Sequence, residues 1–577
     1  MNLFLYSDIE FLRRSEFDLV HLNSFWLNSD LELPSDNFNK DKRDLFKLNY
    51  SKERDFISLY NSVISELGRS YNKRNRSNYS TRFFDIILNN SVSPILTSFL
   101  GATQDLKYLQ ENESKILNNT KIAWFDIAIP EIKTQHNLHD FLSSRNGKQY
   151  IFEFLILMDP QFASLKKYIL VLEKLSPQPI EKTAKNFNLI DLFNKLSLII
   201  PLKKKIIIFG FAESNFSALI KNISSSVLRY KVRPQCLSSL VSEEDAWDPL
   251  SITNKLPSGL IQILNRLLPL ELSLRNTEFE KLFRVIGLPI NVEQIYSTNI
   301  YTGFITNLFI ATMADKGASL YCVQHGGAYK VYQFSFHEYI ERKISDSWIS
   351  AGRLINTNDA YTNNVLGNNL YRKLWRKKRK SNGSNIITFQ LYDIYYNEVH
   401  INSELNSRLM PEYFKRVSLF FSHLLLSETK NKYLLQAYPI KLSDYDLINH
   451  LKNKYPALKN WRSGRRLSEI SPMSKLTILT YFSTGVLELA ASNIPFTMYL
   501  DKRSRYSEES RFLLEQMKDV NLIFYSSETL AFFIENTNIN MWFYNKTTQV
   551  VIKSLIEQLV LVDNNEFLSF PYVKFSK

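Results

Sequence analysis

From about residue 121 onward the chain repeats one device, a short and almost wholly apolar run followed by a longer amphipathic piece. The runs are Ile122-Ala123-Trp124-Phe125, Tyr150 to Leu157, Lys205-Ile206-Ile207-Ile208-Phe209-Gly210 and Leu320 to Val323. A second series follows at Ile386-Ile387-Thr388-Phe389, Tyr433 to Tyr438, Leu476 to Tyr481, Phe496 to Leu500 and Asn521 to Tyr525. Apolar runs of about four to eight residues without polar alternation suit strands buried on both faces. Strands that alternate with helical pieces form parallel sheets with helical crossovers, so an α/β layer architecture is expected.

Between the two series lies a basic, polar stretch, Arg372 to Asn385, containing Arg376-Lys377-Lys378-Arg379-Lys380-Ser381-Asn382-Gly383. It is the best linker candidate in the chain. Upstream of residue 121 the pattern is helical instead. Phe56, Ile57, Leu59, Tyr60, Val63, Ile64 and Leu67 fall at helical spacing, and Phe83 to Leu100 is another long apolar segment. The expected organisation is therefore a mostly helical region over residues 1–120, a first Rossmann-like domain over 121–378 and a second over 384–577, with a cleft between the last two.

A chain of 577 residues fits two to four domains at roughly 150 residues each. Its net charge of +14 points to an anionic partner: a nucleic acid, an acidic membrane face or a phosphate-bearing molecule. The lysines and arginines are dispersed, with a local run at Lys203-Lys204-Lys205, and no nucleic-acid motif accompanies them, which argues against a nucleic-acid partner. Cys236 and Cys322 are the only cysteines. They are too few for a disulfide framework or a zinc site, so a reducing cytoplasm is the expected compartment. Asp8 and Glu10 interrupt the apolar N-terminus, unlike a signal peptide. No run reaches the roughly 18 apolar residues of a spanning helix. Peripheral contact with the inner membrane face stays open, because basic residues near an anionic leaflet contribute about 1 kcal/mol each.

Two constellations carry chemistry. The first is Gln324-His325-Gly326-Gly327 at the end of the apolar run Leu320 to Val323. Here glycines allow close backbone approach or positive φ, and an imidazole near neutrality suits proton transfer. Downstream, Glu338 and Glu341 share a helical face, although Glu338 and Arg342 could equally form an exposed i, i+4 pair. The second is Ser483-Thr484-Gly485 after the run Leu476 to Tyr481, opening a helix closed by Ser492-Asn493-Ile494-Pro495. A helix start of this kind receives phosphate, although an ordinary capped helix is about as good a reading. Glu488 falls outside the capping-box position for either hydroxyl, which leaves its carboxylate for another partner, such as a ribose diol. His136 and His139 lack a third ligand for a metal. Asp444-Tyr445-Asp446 has the form of a metal-binding D-x-D but reads better as a solvated loop.

Taken in order, Gln324-His325-Gly326-Gly327-Ala328-Tyr329, Glu338-x-x-Glu341, Asp346-x-Trp348, Ser483-Thr484-x-x-x-Glu488 and Asn493-Ile494-Pro495 resemble a bacterial transferase family associated with O-antigen and surface-carbohydrate loci. The similarity runs from about Leu67 to Val562. It departs at Ala328 and Lys330, where the family often has glycine, and at Gln436, where an arginine is usual; Lys441, Arg462, Arg465 or Arg466 could replace that cation. The resemblance implies a GT-B-like glycosyltransferase that needs no metal or other cofactor. It would move a sugar from a nucleotide-activated donor to a glycan or lipid-linked glycan of a surface polysaccharide, with a CMP-linked nonulosonic acid suggested by family context. His325 and Glu338 would be catalytic. Gln324, Gly326, Gly327, Ser483, Thr484, Gly485 and Glu488 would bind substrate and nucleotide. The alternatives are a polyol-phosphate transferase with a CDP-linked donor and a non-catalytic polysaccharide-assembly protein.

Overall fold

In the computed structural model the described residues are 52–111, 132–175, 256–285, 288–297, 303–350, 385–392, 410–425, 432–438, 447–460, 467–502 and 504–559, apart from single positions that include His325 and Ala328. Shorter stretches are described at 2–4, 19–21, 121–127, 206–209, 227–230 and 364–366. Arg372 to Ser384, Lys203–Lys205, Cys236, Lys441, Asp444, Asp446, Arg462, Arg465 and Arg466 lie outside them.

Among the described residues the strands form three parallel sheets. One is six-stranded, made of β5 (Ile206–Phe209), β6 (Val227–Tyr230), β7 (Gln294–Ser297), β8 (Ser319–Val323), β9 (Ser347–Ser350) and β10 (Asn364–Leu366), in the order β10-β9-β8-β7-β5-β6. Another comprises β11 (Ile386–Tyr392), β12 (Lys432–Tyr438), β13 (Lys459–Asn460), β14 (Leu476–Leu479), β15 (Phe496–Tyr499) and β16 (Ile523–Phe524), ordered β13-β12-β11-β14-β15-β16. That is the doubly wound order of dinucleotide-binding sheets, whose direction reverses between β11 and β14; in the first sheet the reversal falls between β5 and β7.

The third sheet departs from expectation. It has four strands, β1 (Asn2–Phe4), β2 (Leu19–His21), β3 (Lys121–Ile127) and β4 (Ile169–Leu175), in the order β2-β1-β3-β4. The run at Ile122 thus belongs with strands near the N-terminus, not with β8, and the region before residue 121 is not helical throughout. Tyr150 to Leu157 is also no strand. It lies in helix α4 (Arg145–Met158), which follows α3 (Gln135–Ser143) and starts at Ser144, whose hydroxyl accepts from the Gly147 N–H. Its apolar residues cover more than one face, and Tyr150, Ile151, Phe152, Phe154, Leu155 and Ile156 are all buried.

Two long helices, α1 (Lys52–Asn75) and α2 (Thr81–Glu111), form as the 3.6-residue spacing requires. By length and composition α2 could cross a membrane, although no run had suggested such a segment, but 89% of its apolar window is buried inside the protein. It packs on α5 (Phe304–Asp315) and touches α6 (Phe336–Ile344), the crossovers on either side of β8. Its Arg82 holds both carboxylate oxygens of Asp346 at 2.9 and 3.1 Å and donates to the Ile344 carbonyl at 2.6 Å. In turn Asp346 accepts the Leu320 N–H at 2.7 Å, so the start of β8 is tied to α2.

Deeper, Lys343 of α6 donates to Asp85 of α2 at 2.7 Å and to Asn61 of α1 at 2.8 Å. Burial pushes the Asp85 carboxyl above its ordinary value while Lys343 pulls it back. Removing one partner of such a pair leaves a buried charge, whereas replacing both need not cost stability. We expect Lys343→Met to cost about 2–4 kcal/mol in urea unfolding, and Asp85→Leu/Lys343→Met to recover more than half of that loss.

Candidate functional site

The two six-stranded sheets meet at the carboxyl ends of β8 and β14. Beyond β8, Gln324 adds one more rung to the ladder, its N–H donating to the Ile349 carbonyl at 2.9 Å, and its buried side chain turns back to the Gly326 carbonyl at 2.8 Å. Gly326 and Gly327 follow. His325 lies outside the described residues.

Beyond β14, Ser483 is the N-cap of α7 (Thr484–Ser492), with φ −147°, and its hydroxyl accepts the Gly485 N–H at 3.2 Å. Asn493, in the left-handed region at φ 53°, closes the helix before Pro495. Glu488 sits one turn in and is partly buried. The Gly485 position is tight, since a Cβ there would stand 2.7 Å from a Leu467 methyl.

These two segments touch. The Gly327 N–H donates to the Thr484 hydroxyl at 3.0 Å, and a Cβ on Gly327 would lie 2.7 Å from the Thr484 Cα and 2.9 Å from its nitrogen. The reason for glycine here is close backbone approach, not positive φ. Neither Gly326 nor Gly327 is among the positive-φ residues, and Lys330 takes the left-handed conformation instead, at φ 66°. A lysine in that region is unusual and is held by bonds on both sides. Its N–H donates to Glu338 Oε2 at 2.9 Å, and its carbonyl accepts the Ser507 hydroxyl at 2.6 Å.

Past Lys330 the chain crosses to the second sheet's core. Val331 and Tyr332 belong to that core's apolar cluster. The Val331 carbonyl accepts from the Ser507 N–H at 2.8 Å and from the Ser510 hydroxyl at 2.9 Å, and the Gln333 N–H donates to the Arg505 carbonyl at 3.0 Å. The Tyr332 hydroxyl donates to the Phe482 carbonyl and accepts the Phe482 N–H, both at 3.2 Å, directly before the Ser483 cap. Ser507 also caps α8 (Glu508–Asp519).

Glu338, on α6, is buried. Its Oε1 lies 3.5 Å from Arg342 Nε, so the i, i+4 pair forms, but with side-chain exposures of 4% and 11% instead of on the surface. The Arg342 guanidinium covers the Trp348 ring at 4.5 Å, and the Lys330 amine lies over the same ring at 5.3 Å. That amine is buried without a hydrogen-bond partner among the described residues. Burial pushes it down to about 7, the Arg342 charge adds to the shift, and Glu338 opposes it.

The structure thus brings Gln324, Gly326, Gly327 and Glu338 to one side of a contact and Ser483, Thr484, Gly485 and Glu488 to the other. Lys330 completes it with Tyr332, Ser507 and Ser510, and these last three carry no signal in the sequence beyond Ser507 standing before Glu508-Glu509 as a helix cap. His136 pairs with Asp140 at 3.4 Å, and the described residues contain no group of three His, Cys, Asp or Glu side chains that could hold a metal ion.

A model of the LIC12162 family transferases matches residues 21–568. The chain belongs to that family. No curated protein matches it in sequence. Among solved structures, this LIC12162 family transferase is similar to the wall teichoic acid polymerase TagF, with 10% identity, 66% of this chain and 89% of that chain covered, and a TM-score of 0.29. It is also similar to TarM of S. aureus, with 12% identity, 48% and 54% covered, and a TM-score of 0.32. MurG of Acinetobacter baumannii matches with 11% identity, 64% and 96% covered, and a TM-score of 0.29.

Two variants test the contact. Gly327→Ala should cost roughly 1–3 kcal/mol in thermal or urea unfolding, whereas Gly326→Ala, whose Cβ would meet only the Tyr329 ring at 3.6 Å, should cost far less. For Lys330 the sign follows from a folded pKa below the unfolded one: between about pH 7 and 10.5 the unfolded chain binds more protons, so stability rises with pH. Lys330→Met should therefore be more stable than the parent at pH 7, with the gain shrinking as the pH approaches 10.

Proposed function

We propose that this transferase is a glycosyltransferase of GT-B-like layout, a Rossmann-like domain on either side of a substrate cleft, that moves a sugar from a nucleotide-activated donor onto a surface-polysaccharide acceptor. The observation that carries the reading is the contact of Gly327 with Thr484 at the carboxyl ends of two parallel sheets. In open α/β sheets ligands bind outside those ends, where the strand order reverses. In the second sheet the reversal lies between β11 and β14, and β14 leads into the Ser483 cap.

On this reading the start of helix α7 receives the donor phosphates through its dipole and the Ser483 and Thr484 hydroxyls, and Glu488 takes the ribose diol. Gly485 lets that first turn pack closely against Leu467. Across the contact, Gln324, Gly326 and Gly327 form the acceptor-side turn, and His325 is the general base on the acceptor hydroxyl. Glu338 orients that turn through the Lys330 N–H. The acceptor is a glycan or lipid-linked glycan, and a CMP-linked nonulosonic acid is the donor that family context suggests. No metal or other cofactor is invoked. The setting is the cytoplasm, with peripheral contact at the inner membrane face.

Calorimetric titration with CMP, UDP, GDP and CDP tests the reading. One of them should bind, and Ser483→Ala or Glu488→Ala should weaken that nucleotide about tenfold, or ~1.4 kcal/mol. His325→Ala should retain nucleotide binding while transfer falls by a factor of about 100 or more. Absence of binding by all four nucleotides would sink the proposal.

A further inference from the structure

We propose that Tyr392, backed by Tyr481, is the platform on which the base of the donor nucleotide stacks, beside the Ser483 helix start. The inference rests on the transferase reading above and deepens it, because it names the part of the donor that this edge of the second six-stranded sheet would hold.

The two tyrosines stand where the strand order of that sheet reverses. β11 and β14 pair in register from Ile387↔Leu476 to Gln390↔Leu479, so two residues further on Tyr392 comes opposite Tyr481. Their rings lie 4.5 Å apart, tilted by 39°. Hydrogen bonds tie the two strand ends together at this point. The Tyr413 hydroxyl, from the helix Met410–Leu425, accepts the Tyr392 N–H at 2.8 Å and bonds the Thr480 hydroxyl at 2.7 Å. Thr480 gives both its N–H and its hydroxyl to the Gln390 carbonyl, at 3.2 and 3.0 Å. The backbone under both rings is therefore fixed before any ligand arrives, which lowers the ordering cost of binding.

This surface is open to a ligand. Tyr481 is buried at 6% exposure, whereas Tyr392 stays partly exposed, so the pair offers solvent one ring supported from behind by another. Ser483, Thr484, Gly485 and Glu488 are partly exposed as well. Ser483 follows Tyr481 by two residues, at most about 7 Å of chain. A base on the ring and a phosphate at the helix start would thus be neighbours, with the ribose between them and within the reach assigned to Glu488.

Other tyrosines along the same edge are placed differently. Tyr499 ends β15 but is buried, and the Arg416 guanidinium lies over its ring at 4.6 Å. Tyr506 stacks on Tyr332 in the seam at 5.5 Å. Tyr525 follows β16, the edge strand, two strands from β14. Tyr392 combines exposure with a position at the reversal, where ligands of doubly wound sheets bind. An uncharged ring has little to offer a phosphate, whereas the flat π-face of a base stacks on it. Such stacking raises affinity about tenfold or more and accepts any base. The platform accordingly fixes where the base lies and leaves the choice among bases to other groups.

Saturation-transfer NMR with CMP, UDP, GDP and CDP on the full-length protein locates the base, and calorimetry with the same nucleotides gives the affinity. In the parent, the base protons of the nucleotide that binds should take up more saturation than its ribose protons. Tyr392→Leu keeps an apolar side chain over Tyr481 but has no π-face. It should weaken that nucleotide about tenfold and lower the base share, while Tyr392→Phe retains both. Should Tyr392→Leu fail to fold, the parental base share and the affinity of Tyr392→Phe decide the matter. A parent whose ribose takes up more saturation than the base overturns the platform. So does a folded Tyr392→Leu with unchanged affinity, or a Tyr392→Phe that loses about tenfold itself. Absence of binding by all four nucleotides fails the transferase reading, and this inference with it.

Discussion

The arrangement depends on one stretch of backbone, residues 327–333, that belongs chemically to both six-stranded sheets. It leaves β8 and gives its first N–H to Thr484. It then turns through a left-handed lysine braced by Glu338 on one side and Ser507 on the other. Finally it buries Val331 and Tyr332 among the apolar residues of the second sheet. These bonds across the seam involve main-chain groups, met by hydroxyls or by other main-chain groups. Such a joint is short and directional, and sliding one sheet over the other would break several of these bonds at once. The left-handed region costs a residue with a side chain of the order of 1–2 kcal/mol, a strain sustained only where neighbours over-determine it. Here the neighbours on the two sides come from different sheets.

Much of the strand content was legible because a strand buried on both faces advertises itself. Ile386 to Phe389, Tyr433 to Tyr438, Leu476 to Tyr481 and Phe496 to Leu500 all form strands of one parallel sheet. The same signal failed at Tyr150 to Leu157, where a helix hemmed in on several sides is also continuously apolar, and only the Ser144 cap distinguishes it. Nor could composition show that Lys121–Ile127 pairs with Asn2–Phe4, since parallel partners need no proximity in sequence. Apolar periodicity announces an element and says little about its neighbours.

The site divides in the same way. Ser483 could be read as a helix cap, and Asn493 as its end, because capping is local chemistry decided within a few residues. Of the two uses open to a glycine at Gly327, the structure takes close approach, and the backbone it approaches, at Thr484, is 157 residues away in sequence. Lys330 looked like the loss of a family glycine. It occupies the left-handed position itself, which a lysine does only where long-range bonds from Glu338 and Ser507 hold it, and those partners cannot be inferred from the residues around it. The imidazole of His325 lies outside the described residues, so its place in the chemistry rests on the sequence and on the geometry of the turn that carries it.

That geometry constrains Glu338 more than it constrains the histidine. A general base must hold a lone pair toward a proton on the substrate and must exchange that proton afterwards. One oxygen of Glu338 is committed to the Lys330 N–H and the other lies beside Arg342, and the side chain is almost sealed from water. A carboxylate so engaged is better suited to fixing backbone than to moving protons. Its charge also limits the cost of burying Arg342 and the Lys330 amine against Trp348. Glu338 is thereby a brace: the carboxylate that holds the Lys330 N–H is also the counter-charge beside which Arg342 is buried.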